Sequence, residues 1–213
     1  MKNNIFTITV LFAVLFVASE VNAKNIFAGT VTTTDGDVLT GKVYVVSPTY
    51  NELKVKFVDS NKKKYTFKAK DVETYTFEVP KFNKETRSYE TETITYVRKE
   101  VEDAPVRMGT KDILVERQVN GAIQVYNQYY EQDAKIGGTL GHYFYAQKQD
   151  RTLDFTKLTK ANYKEVLKAA TVDFPELSNK VGTKGFGYRH IVKVAELYNQ
   201  NVARMDNSLS MAN

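Results

Sequence analysis

Leu53-Lys54-Val55-Lys56-Phe57, Tyr65-Thr66-Phe67-Lys68 and Tyr75-Thr76-Phe77-Glu78-Val79 each place an apolar side chain at every second position. A strand with one face in a core and the other in water needs this period of two. Residues 53–79 therefore predict three half-buried strands. Working outward, Asp35-Gly36 lies between two β-branched runs, and Asn120-Gly121 lies between Val119 and Ile123. Both pairs suit the positive φ angles of tight hairpins. Gly29, Gly36 and Gly41 near the first strands suggest sharp bending. The polar stretch 80–92 is expected to extend as a long loop or hairpin tip. A link bearing Pro105 then leads to a second β group at 113–119, 123–126, 142–146 and 153–155, interrupted by the glycine-rich segment 136–141.

After Leu158 the period changes to 3.6. Tyr163, Val166, Leu167 and Ala170 share one helical face, with Thr159 as the expected N-cap. Pro175 opens a short helix that Gly182 stops, and Ile191, Val194, Ala195 and Tyr198 repeat the helical spacing. The expected fold is α+β. An N-terminal antiparallel β part, either a small SH3-like barrel or curved sheets, precedes about three short C-terminal helices, each too short to stand alone. The expected organisation is a signal peptide at 1–23, a β part at 24–104, a second β group with helices at 105–204, and a disordered tail at 205–213.

The signal reading rests on Lys2, on the uncharged run from Ile5 to Val17, and on Val21-Asn22-Ala23. A positive start, an apolar stretch and small residues before the cut are what a signal peptidase requires, so cleavage after Ala23 leaves Lys24 first. The run falls short of the roughly 20 residues of a membrane-spanning helix. These features predict a periplasmic or extracellular protein with no transmembrane segment in the mature chain. The absence of cysteine from the whole sequence excludes disulfides, thiolate metal sites and a lipid-modified cysteine. The net charge is +5, with lysines concentrated at Lys62, Lys63, Lys64, Lys68 and Lys70. These could serve an anionic polymer, but lysines beside Tyr65 and Phe67 are what the edge of a half-buried strand requires. Export argues further against a nucleic-acid partner.

The search for chemistry is short. His142 and His190 are the two histidines, in different predicted elements and without carboxylates at metal-ligand spacing. No Gly-x-Ser-x-Gly elbow exists, and neither glycine cluster opens the helix of a phosphate-binding unit. Asp35-Gly36-Asp37 is a turn without the remaining ligands of a calcium loop. No catalytic, cofactor-binding or metal-ligating residue is therefore assigned, and no cofactor is expected. Tyr126, Tyr129, Tyr130, His142, Tyr143 and Tyr145 flank the glycine segment on two strands expected to pair. Tyrosine offers an apolar face and a hydroxyl together, which suits a protein or glycan partner. Cross-strand aromatic packing is the plainer reading of the same residues.

Gly29-Thr30-Val31, Asp35-Gly36-Asp37, Gly41-Lys42-Val43, Val55-Lys56-Phe57, the spacing from Tyr65 to Asp71-Val72, and Val119 through Tyr126 carry a resemblance. With Tyr143-Phe144-Tyr145 and Leu197-Tyr198-Asn199, they resemble an uncharacterised family of exported Bacteroidetes proteins. The turn Gly36-Asp37-Val38 departs from that family's usual Gly-Asp-Thr. The resemblance implies export and a β-then-α architecture, and no activity. Two functions follow as expectations: a non-catalytic binding or accessory module of the cell envelope, or a periplasmic hydrolase using a histidine in a cleft between the β part and the helices.

Overall fold

The computed structural model of the chain describes residues 25–101, 111–131 and 140–210. The segment read as a signal peptide, most of the Pro105 link and the start of the glycine segment lie outside the described residues. Ten strands form one antiparallel sheet. They are β1 (Ile26–Thr33), β2 (Val38–Tyr44), β3 (Lys54–Asp59), β4 (Lys64–Lys68), β5 (Val72–Asn83), β6 (Ser88–Glu100), β7 (Asp112–Val119), β8 (Ile123–Glu131), β9 (Leu140–Lys148) and β10 (Thr156–Leu158). Their order is β10-β9-β8-β7-β6-β5-β1-β2-β3-β4. The helices are α1 (Pro48–Asn51), α2 (Tyr163–Ala170), α3 (Pro175–Lys180) and α4 (Ile191–Ser210).

The fold is α+β as the periodicity predicts, and the sheet is open rather than a closed barrel. It is nonetheless strongly curled. Five inter-strand steps separate β3 from β7, about 24 Å in a flat sheet at roughly 4.8 Å per step. Yet the Leu114 N–H of β7 donates to the Glu52 carbonyl, two residues before β3, at 2.8 Å. The glycine pair makes such bending possible. Gly29 and Gly41 face each other across β1 and β2. A Cβ on Gly29 would stand 2.1 Å from the Thr76 carbonyl oxygen, and one on Gly41 2.1 Å from that of Val58.

The hollow of the curl is filled by Val31, Val43, Val55, Phe57, Val72, Tyr75, Phe77, Tyr96 and Leu114. β4 is one edge of the sheet, and its lysines with Lys62, Lys63 and Lys70 border that edge, so the cluster sits where lysine discourages further strand pairing. Farther along the same face, α2, α3 and α4 cover Ile123, Val125, Phe144, Ala146 and Leu158 with Tyr163, Leu167, Leu177, Ile191, Val194 and Tyr198. Asn199 fastens α4 to the sheet. Its Oδ1 accepts the Ile123 N–H at 2.8 Å and its Nδ2 donates to the Ile123 carbonyl at 2.9 Å.

Several local expectations meet small corrections. The 80–92 stretch is a hairpin whose strands persist to Asn83 and resume at Ser88. The last strand is Thr156–Leu158, just after the expected 153–155. β6 and β7 pair across the division placed at 104/105. Asn162, not the expected Thr159, is the N-cap of α2; the Thr159 hydroxyl accepts the Asn162 N–H at 3.2 Å in the turn before the helix. α4 runs on to Ser210, into the segment expected to be disordered.

Candidate functional site

β8 and β9 pair with Tyr126 opposite Tyr145, Gln128 opposite Tyr143, Tyr129 opposite His142 and Tyr130 opposite Gly141. Side chains alternate across a sheet, so this register splits the predicted constellation. Tyr126, Tyr130, Tyr143 and Tyr145 stand on the face away from the helices. Tyr129 and His142 stand on the helix-bearing face.

The first four belong to an aromatic band. Tyr130 and Tyr143 stack with centroids 4.4 Å apart, and the Lys157 ammonium lies 3.7 Å above the Tyr143 ring. Two groups this close to one ring centre need opposite sides, so both faces of Tyr143 are occupied. Tyr130 folds over Gly141, where a Cβ would come within 2.4 Å of its ring. Deeper in, Phe155 stacks on Tyr145 at 4.5 Å and meets Tyr126 edge-on at 5.5 Å. Tyr126 and Tyr145 are buried in a cluster with Val101, Ile113 and Val115, against which Phe155 packs, whereas Tyr130 and Tyr143 are partly exposed. The hydroxyls of the buried pair are satisfied, Tyr145 donating to Gln128 Oε1 at 2.8 Å and Tyr126 to Gln124 Oε1 at 2.5 Å.

Lys99 caps the far end of the band, its ammonium 5.0 Å from the Tyr126 ring and bonded to Gln147 Oε1 at 2.8 Å. Burial lowers its pKa, and the charge of Arg117 adds to that while Glu73 opposes it. Arg117 pairs with Tyr126 and shares the face. The band thus combines ring edges and hydroxyls with three cations, Lys99, Arg117 and Lys157.

On the other face lies a polar cluster that no motif announced. β7 and β8 are in register at Glu116/Asn127 and Arg117/Tyr126, and no pairs are formed below them. Into this fork goes the end of α1. Glu52 is 0% exposed, and its carbonyl takes the Leu114 N–H while its Oε1 accepts the Tyr129 N–H. The Tyr129 hydroxyl donates to Glu116 Oε2 at 2.5 Å, and the Tyr75 hydroxyl to the Asn51 carbonyl at 3.2 Å. Burial pushes the Glu52 pKa up to about 8, against the Tyr129 N–H bond and with help from the Glu116 charge. Tyr75, Tyr96 and Tyr129 are likewise held above the ordinary phenol range, chiefly by burial. Glu52 Oε2, Asn51 Nδ2 and Asn127 Oδ1 are buried without a partner. A carboxyl protonated on Oε2 brings a donor to a fork whose acceptors include Asn127 Oδ1. Neutral Glu52 is therefore a wedge between two strands, closed to solvent.

His142 and His190 are exposed. His142 packs edge-on against Phe144 at 4.7 Å, and His190 ends a 3-10 turn leading into α4. Two shallow clefts lie between the sheet and the helices. One, of about 490 Å³, is lined by Lys148, Leu153, Val166, Ala170 and Asp173 among others, and the second, of about 400 Å³, by Lys148, Asp150, Asp173, Phe174 and Tyr198. Neither histidine lines either cleft. The ridge between them is Lys148 with the Tyr198 hydroxyl bonded to Asp173 Oδ2 at 2.7 Å. Among the described residues no group of three or more histidine, cysteine, aspartate or glutamate side chains is placed to hold a metal, and no helix is long and apolar enough to cross a membrane. Compared with protein-family models, curated proteins and solved structures, the chain matches none.

Proposed function

We propose that this chain is an exported binding module of the cell envelope, cleaved after Ala23, that holds an acidic protein partner on the band around Tyr130, Tyr143 and Lys157. The observation that carries the reading is the occupied Tyr143 ring, with Tyr130 on one face and the Lys157 ammonium on the other. Sugar recognition by stacking needs a free aromatic face. Here the rings present edges and hydroxyls beside cations, which suits acidic side chains and a partner's backbone better than a pyranose. Lys99 and Arg117 extend the same sign of charge along the face and would guide an acidic partner to it. Export to the periplasm or the cell surface rests on residues 1–23 and on the resemblance to exported Bacteroidetes proteins.

The hydrolase reading has less support, because neither histidine lines either of the two clefts that lie, among the described residues, between sheet and helices. Lys157→Glu tests the binding role. It reverses the charge at the outer end of the band without touching the buried rings. Surface capture of the partner should fall at least tenfold while the far-ultraviolet spectrum stays unchanged. Equal capture would remove the proposal.

A further inference from the structure

The hairpin of β5 and β6 outgrows the sheet. Pairing of β5 with β1 stops at Phe77, and pairing of β6 with β7 begins only at Tyr96. Residues 78–93 therefore project as a two-stranded ribbon, six paired positions beyond Phe77 or about 20 Å long at roughly 3.4 Å per residue. Isolated ribbons are marginal in water. This one is braced by Lys81–Glu92 at 2.6 Å, Asn83–Glu90 at 2.7 Å, and Phe82 against Tyr89 at 5.3 Å. Phe82 and Tyr89 are nonetheless 49% and 73% exposed. They stand on the face opposite Phe77 and Ile94, so the N-terminal core cannot cover them.

The two edges of the ribbon differ. Along β5, even-numbered residues point their backbone groups outward, and Pro80 sits among them without an N–H. Proline at this place blunts a strand edge. Along β6 the odd-numbered residues face the β7 side, as the Val101 N–H donating to Lys111 O at 2.9 Å shows. Tyr89, Thr91 and Thr93 thus offer N–H and C=O groups to a flank that no strand among the described residues pairs. Neither proline nor lysine protects that flank, and Tyr89-Glu90-Thr91-Glu92-Thr93 is rich in β-branched residues suited to a strand.

We infer that the β6 edge from Tyr89 to Thr93 accepts an extended segment of a partner protein as an added antiparallel or parallel strand, with basic residues at alternate positions of that segment. Backbone bonds to Tyr89, Thr91 and Thr93 would supply affinity, and alternate side chains specificity. The charge follows from Glu90 and Glu92, which share one face and have the single cation Lys81 between them. A second copy of the chain fits worse. Antiparallel self-pairing centred on Thr91 would set Glu90 of one copy against Glu92 of the other, a like-charge pair that destabilises a sheet. This surface is separate from the aromatic band and does not depend on it.

The test uses the intact exported chain and a displayed library of random nine-residue peptides. Enriched peptides should alternate Lys or Arg with β-branched or aromatic residues. Their binding should slow hydrogen exchange at the Tyr89, Thr91 and Thr93 amides, and should fall at least tenfold with Thr91→Pro. That variant removes an outward N–H opposite Pro80 and costs no bond within the ribbon. Tyr89→Lys, which keeps the N–H and adds a guarding cation, should weaken the same peptides severalfold while Lys157→Glu leaves them unchanged. The inference is overturned if enriched peptides bind Thr91→Pro as tightly as wild type, if the three amides are not slowed, or if those amides are protected instead in a self-associated dimer.

Discussion

Glu52→Gln should stabilise this protein at neutral pH, although it replaces a fully buried side chain. The Glu52 pKa rises from 4.5 to about 8 on folding. Each unit of pKa is worth about 1.4 kcal/mol. Below pH 4.5 the carboxyl is neutral in both states and carries no ionisation penalty. Between pH 4.5 and 8 the unfolded chain has lost the proton and the folded chain keeps it, so stability falls as pH rises. The loss reaches about 3 kcal/mol at pH 7 and levels off at about 5 kcal/mol above pH 8. Glutamine copies the neutral acid: its oxygen accepts the Tyr129 N–H, and its amide places a donor where the unpartnered Oε2 stands, in a fork that holds the Asn127 Oδ1 acceptor. Urea denaturation of both proteins at pH 5, 7 and 8.5 measures the effect. The difference in unfolding free energy should widen in favour of the variant by about 2.5 kcal/mol from pH 5 to pH 7. Parallel curves, or a variant destabilised at pH 7, would refute the neutral wedge.

Other consequences are as concrete. Asn199→Ala removes both bonds to the Ile123 backbone and leaves that strand's groups under the helix unpaired; it should cost about 2–3 kcal/mol in denaturant. Gly29→Ala drives a Cβ against the Thr76 carbonyl and should cost several kcal/mol, about 3 or more, or prevent folding. Tyr75→Phe deletes the buried bond to the Asn51 carbonyl and should lower stability by about 1 kcal/mol with the aromatic stack on Tyr96 retained. The proposed cleavage after Ala23 predicts a mature chain beginning at Lys24 by intact mass, and a species retaining residues 1–23 would contradict it.

Much of this architecture is local and therefore legible in the residues. Val55, Phe57, Tyr65, Phe67, Tyr75 and Phe77 alternate because each strand has one wet face. Gly36 and Gly121 sit at φ angles of 90° and 149° because their hairpins require them. Tyr163, Leu167 and Ala170 mark α2 for the same local reason. The curl was only hinted at by Gly29 and Gly41, since the pairing of each against its neighbours is a property of three strands together. The aromatic set was partly legible. Tyr129 and Tyr130 are adjacent and must face opposite ways in any strand, but the partners of each depend on the β8–β9 register. Phe155, Lys99 and Lys157 join the band from segments far along the chain, with no spacing to announce them. Glu52 was invisible altogether. It follows a proline-led turn that reads as solvated, and its burial depends on β7 and β8 parting below Glu116, which no local pattern encodes.

The binding role proposed for the outward aromatic band is tested most directly by quantitative affinity capture from envelope fractions, with residues 24–213, Lys157→Glu and Tyr143→Ala as parallel baits. The account predicts an acidic protein enriched by the wild-type bait and reduced at least tenfold by either variant, with all three baits folded. The same proteins captured in the same amounts by all three would contradict it.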